Sequence, residues 1–146
     1  MTRQPFGARV FNFMRGLISN RRASRRVCSD LPVHFSIVRR ISPSQVRRSR
    51  AITGHTTDLS QSGLAIETSI IRIDNFHISQ SFDMASEQFL DIELALPEHD
   101  IHLEGKPLRY EHRNSQTGNY LVGIKIIRMS EEDRKTYEEY LMEAGR

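Results

Sequence analysis

Between Leu31 and Ile37 the chain reads Leu-Pro-Val-His-Phe-Ser-Ile, with apolar side chains at alternate positions. That is the period of a strand with one buried face. The same alternation returns in Leu90–Leu96, Ile101–Glu104 and Tyr120–Ile126, with shorter candidates at Ala51–Thr57 and Leu64–Thr68. Turn-forming stretches at Pro97–Asp100 and Asn114–Asn119 separate them. Roughly six short strands with polar connections predict an all-β dominated, antiparallel barrel or sandwich. The chain closes on a predicted helix. Ser130 is a suitable N-cap, Glu131, Glu132 and Asp133 set negative charge against the free N–H groups of the first turn, and Tyr137, Tyr140 and Leu141 share a face. A second, amphipathic and basic helix is predicted over residues 1–20. There Phe6, Val10, Phe13, Met14, Leu17 and Ile18 recur at helical spacing, with Arg9 and Arg15 elsewhere on the cylinder. Arg39–Arg50 reads as an arginine-rich hairpin connection, and Ser69–Gln88 as a long loop with one short helix.

At 146 residues, 38% hydrophobic and 27% charged, the chain is expected to form one domain, residues 21–146, behind the N-terminal helix. Its longest apolar runs fall far short of the ~20 residues that cross a bilayer, and the start lacks an apolar stretch before a small-residue cleavage site. The expectation is a cytoplasmic protein without a transmembrane segment, with the N-terminal helix a candidate for touching a membrane surface. The single cysteine, Cys28, has no partner for a disulfide or a structural metal and is expected to be a half-packed, reduced thiol.

Charge changes the picture more than composition does. Residues 1–50 hold twelve arginines and one acid, Asp30, for +11, whereas residues 51–146 hold nine basic and seventeen acidic residues, for −8. Every cation of the first half is arginine, whose planar fork grips phosphate at two points and stacks on bases. An anionic, phosphorylated partner is the leading inference, with a solvated basic arm as the alternative.

Enzyme signatures are poor, so no catalytic residue, no metal and no cofactor is assigned. The six histidines are scattered, and His99 with His102 reads as a surface pair on a turn and strand rather than a zinc site. Asp91 and Glu93 alternate with apolar positions as solvent-facing residues do. Two motifs remain. Arg22-Ala23-Ser24-Arg25-Arg26, preceded by Arg21, is an RxxxR arrangement just before the first strand, and Asp58-Leu59-Ser60-Gln61-Ser62-Gly63 is a DxSxxG arrangement between the second and third. Each is weak alone, because the first arises easily in an arginine-rich arm and the second in any turn.

In this order on a β-rich chain, the two motifs, with Gly123-Ile124-Lys125-Ile126 and the Ser-Glu-Glu-Asp helix start, resemble the PilZ domain, a bacterial receptor module for cyclic di-GMP. The resemblance runs from about residue 21 to about 143. It implies a six-stranded antiparallel β-barrel with a flanking helix, an arginine arm that folds over the nucleotide, and DxSxxG as the opposite wall. The ligand-binding residues it implies are Arg21, Arg22, Arg25, Arg26, Asp58, Ser60 and Gly63. Arg22 and Arg26 suit phosphate oxygens and guanine O6 and N7. Asp58 suits the paired N1–H and N2–H₂ donors of guanine, Ser60 a short hydroxyl contact, and Gly63 a tight turn or close backbone approach. The chain has no tryptophan, so any stacking surface falls to Arg109 or Tyr110. The function implied is that of a non-enzymatic receptor or adaptor in signal transduction, whose surface changes on nucleotide binding to regulate a protein of motility, exopolysaccharide or adhesion machinery. Two alternatives stay open: a PilZ-like adaptor that binds proteins without nucleotide, and an arginine-rich nucleic-acid-binding protein, which the acidic second half disfavours.

Overall fold

The computed structural model describes residues 26–78, 87–114 and 118–145; the segment expected to form the N-terminal helix lies outside them. The described residues form strands β1 (Val27–Cys28), β2 (Pro32–Ser42), β3 (Gln45–Arg48), β4 (Ile52–Leu59), β5 (Gly63–Thr68), β6 (Arg72–Ile73), β7 (Phe76–His77), β8 (Glu87–Ala95), β9 (Asp100–Asn114) and β10 (Asn119–Met129), followed by helix α1 (Glu131–Ala144). Eight strands join in one antiparallel sheet in the order β1-β4-β5-β10-β9-β8-β2-β3, and a further β4–β2 pairing brings its ends together. The strands β4, β5, β10, β9, β8 and β2 thus form a ring of six, with β1 and β3 extending it on opposite sides. The expected six-stranded arrangement is present, assembled by long-range pairing such as Val33 with Leu94 and Phe35 with Ile52.

Alternation decides which side chains fill the ring. Val33, Phe35 and Ile37 of β2, Leu90, Ile92 and Leu94 of β8, Ile101 and Leu103 of β9, and Val122 and Ile124 of β10 are buried in one cluster. Each belongs to a strand predicted from its period. Gly105 belongs to the same packing, since a Cβ there would lie 2.4 Å from Ile124 Cγ2. Helix α1 begins where its cap was expected, the Ser130 side chain accepting from Asp133 N at 3.1 Å. It buries Tyr137 and Leu141 and leaves Tyr140 partly covered.

Two connections differ from the sequence reading. Arg39–Arg50 is largely sheet: β2 runs on to Ser42, turns at Pro43-Ser44 and returns as β3. Across this hairpin Arg39 pairs with Arg47, Arg40 with Val46 and Arg48 with Val38, and the polarity of these arginines masked the strand. Within Ser69–Gln88, residues up to Ile78 form no helix; they form a small hairpin of β6 and β7. Asp74 and Asn75 turn it with φ of 52° and 67°, as a two-residue loop of the primed type requires.

Candidate functional site

Strand β1 brings the end of the arginine arm to the DxSxxG turn. Val27 pairs with Leu59 and Cys28 with Asp58, so Arg26 enters the sheet at the edge where β4 gives way to that turn. The turn itself is held closed by Ser60: its N–H donates to Gly63 O at 2.9 Å, its Oγ donates to the same carbonyl at 3.1 Å and accepts from Gly63 N at 3.2 Å. Ser60 is fully buried. Gly63 lies against β10, where an added Cβ would sit 2.5 Å from Ile124 O; of the two roles expected for this glycine, close backbone approach is the one present. Helix α1 braces the turn from outside. Tyr137 Oη donates to Ser60 O at 2.7 Å, and Arg134 Nη1 donates to Gln61 O at 3.0 Å.

Asp58 is the chemically unusual member. It is 4% exposed, and its Oδ1 accepts no hydrogen bond among the described residues. Burial pushes its carboxyl up to about 6, against the opposing pull of the nearby Arg26 charge and a backbone hydrogen bond from Leu59. A buried carboxylate with an idle oxygen is costly to maintain unless something donates to it. Register carries the row further. Asp58 pairs with Ala65, Ala65 with Gly123, and Gly123 with Arg109. Directly paired residues share a face, so Asp58 and Arg109 stand on one face, three strand spacings or about 14 Å apart, with two small residues between them. Tyr110, the other stacking candidate, alternates to the opposite face, where it packs on the core beside His77 and Tyr120 at ring separations of 5.3 and 6.1 Å.

Of the expected site residues, the structure therefore brings Arg26, Asp58, Ser60 and Gly63 to one edge and sets Arg109 on the Asp58 row. Arg21, Arg22 and Arg25 lie outside the described residues. Two contributors had gone unrecognised: Tyr137, read only as a helix packing residue, and Ser62, whose buried Oγ also has no partner among the described residues. The serine was legible in the motif; the tyrosine was not, because 77 residues separate it from its acceptor. Cys28 is exposed rather than half-packed, since β1 is an edge strand; its partner Asp58 shares that face but lies one strand further into the sheet.

Several of the remaining charges pair with one another. Arg40 meets Glu87 at 2.8 Å, Arg48 meets Asp91 at 2.6 Å, and Arg50 meets Asp74 at 2.9 Å, while Arg39 lies over the Phe76 ring. Acids of the second half thus neutralise hairpin arginines of the first. His102 turns its Nε2 to Asp91, and His99 sits in the β8–β9 turn. Among the described residues no three His, Cys, Asp or Glu side chains are grouped to hold a metal, and no helix is long and apolar enough to cross a membrane.

This sheet ring, closing helix and motif-bearing edge define a β-rich module of the PilZ kind, and comparison with known proteins agrees. The family model described as the PilZ domain matches residues 20–143, and the chain belongs to that family. Among solved structures it is similar to the PilZ domain of YcgR from Escherichia coli, with c-di-GMP, at 10% identity and a TM-score of 0.55, covering 86% of this chain and 92% of that one. It is similar also to the Bacillus subtilis inhibitor of motility MotI/DgrA, at 17% identity and 0.53, covering 85% of this chain and 51% of that one. The chain thus spans about half the length of the Bacillus protein. A third likeness is to the PilZ domain of CeSA from a cellulose-synthesizing bacterium, at 15% identity and 0.50, covering 84% and 100%. No curated protein matches the chain significantly.

Proposed function

We propose that this chain is a cyclic di-GMP receptor that acts as a non-enzymatic adaptor. The observation that carries the reading is Asp58: a buried carboxylate with an idle oxygen, beside Arg26 and at the end of a row that leads to Arg109. Guanine alone among the bases offers two adjacent donors, N1–H and N2–H₂, to a carboxylate in that position. Arg26 and Arg22 take phosphate oxygens and the guanine O6/N7 edge, Arg21 and Arg25 add charge, and Arg109 provides a stacking plane. Ser60 and Gly63 keep the turn in the shape that presents Asp58. The structure of YcgR with c-di-GMP and the family assignment support the ligand class. Ligand closure of the arm then alters the surface available to a protein partner in motility, exopolysaccharide or adhesion machinery.

Isothermal titration with cyclic di-GMP, cyclic di-AMP, GTP and single-stranded RNA tests this. Cyclic di-GMP is expected to bind, and cyclic di-AMP, which has the same phosphates but lacks both donors, to bind at least about a hundredfold more weakly. Equal affinity for the two dinucleotides would show a site that recognises charge alone. Asp58→Ala adds the internal control: it weakens cyclic di-GMP and leaves RNA or heparin binding unchanged or stronger, because a carboxylate repels a generic polyanion.

A further inference from the structure

Away from the DxSxxG edge, a groove of ≈ 790 Å³ runs between the β8–β9 turn and the outer side of α1. Its apolar lining includes Leu96, Tyr140 and Met142, and its rim is acidic, with Glu98, Glu139 and Glu143. Met142 is 59% exposed, the most exposed of the large apolar side chains among the described residues. The helix that forms one wall carries six acids against Arg134 and Lys135. A partly apolar trough with a negative rim fits an amphipathic segment whose polar flanks are positive and free of acids.

The chain supplies such a segment and delivers it here. Residues 1–26 contain seven arginines and no acid, and Phe6, Val10, Phe13, Met14, Leu17 and Ile18 recur at the spacing that would make an apolar stripe on a helix. Three residues from the start of the described chain, Ser29 Oγ lies 2.5 Å from Tyr140 Oη, the hydroxyl of a groove residue. As a helix, residues 6–18 would measure about 20 Å, and residues 19–25, ahead of β1, can span up to about 25 Å. The tether therefore reaches, and attachment to the same chain raises the local concentration of the segment to the order of millimolar. We propose that residues 6–18 of the chain dock in the groove between the β8–β9 turn and α1, with the apolar stripe on Leu96, Tyr140 and Met142 and Arg9 and Arg15 toward the glutamates. The docked segment and the RxxxR motif are then joined by residues 19–21 alone, so one element carries both contacts.

The test is photocrosslinking in the full chain with p-benzoylphenylalanine placed at exposed Met142, followed by peptide mapping. The expected adduct joins residue 142 to a peptide within residues 1–20 of the same molecule and stays monomeric on a denaturing gel. Glu139→Arg with Glu143→Arg should lower its yield at least about fivefold, and adding Arg9→Glu with Arg15→Glu should restore it. In the chain with native Met142, Phe13→Asp with Leu17→Asp should speed amide exchange at Leu96–His99 while leaving the β10 core amides protected. Adducts that link two chains, adducts that form only with anionic lipid vesicles, or unchanged exchange in the Phe13/Leu17 variant would each overturn the assignment. Nucleotide binding is measured separately and does not enter either readout.

Discussion

Asp58 sets an opposition between stability and recognition. Its carboxyl titrates at about 6 in the folded chain against an ordinary value of 3.8, with burial as the main cause. Between those values the folded state holds more protons than the unfolded state, so the contribution of this group favours folding at low pH and is lost as pH rises through 6. The whole effect is at most about 3 kcal/mol. Asp58→Asn, which keeps the shape and removes the charge, should accordingly raise the melting temperature of the ligand-free protein at pH 8 and confer little at pH 4, as read by thermal unfolding across that range. The ligand reading requires the opposite preference: cyclic di-GMP affinity should fall by up to about tenfold per pH unit below 6, because guanine donors need the ionised oxygens. Arg26 differs from both. At the edge of the sheet and outside the core, Arg26→Ala should cost cyclic di-GMP affinity about tenfold to hundredfold while moving the melting temperature by little. A drop as large as a core truncation causes would make it structural.

The DxSxxG turn and helix α1 behave as one element although 66 residues lie between Gly63 and Ser130. Tyr137 Oη satisfies the buried Ser60 carbonyl, and loss of that donor leaves an acceptor with no access to water. Tyr137→Phe should therefore destabilise the fold by about 1–3 kcal/mol. It should also weaken nucleotide binding, because the carbonyl it releases is in the turn that presents Asp58. A denaturant titration and a binding titration on the same variant check both effects; a stability loss with unchanged binding would detach the helix from the site. The hairpin of β2 and β3 teaches a different lesson about elements. Its arginines are polar but not loop-forming here: β2 buries Val33, Phe35 and Ile37 on one face and Val38 on the other, and its extension to Ser42 comes from pairing with β8 and β3.

At the scale of the molecule, the +11 and −8 halves meet rather than separate, through Arg40–Glu87, Arg48–Asp91 and Arg50–Asp74. Pairs this exposed each contribute little to stability, but they occupy cations that would otherwise draw polyanions. The combined variant Asp74→Asn, Glu87→Gln, Asp91→Asn should unfold within about 2 kcal/mol of the parent and elute from heparin at clearly higher salt. Unchanged elution would mean that the hairpin arginines were never accessible.

Sequence alone determined what depends on near neighbours: the period-2 strands at 31–37, 90–96 and 120–126, the Ser130 cap, and the two motifs that name the family. Each of these is set by residues a few positions apart, where backbone geometry links spacing directly to face or turn. Only the tertiary structure decided that Cys28 faces water while Asp58 is buried, that Arg109 rather than Tyr110 shares the Asp58 face, that Tyr137 closes the DxSxxG turn, and that hairpin arginines meet acids about 24 to 47 residues away in the chain. Those outcomes follow from strand register and from helix docking across the whole chain. Burial and electrostatic environment are properties of what surrounds a side chain, and a one-residue change of register would have turned a strand's side chains to the other face.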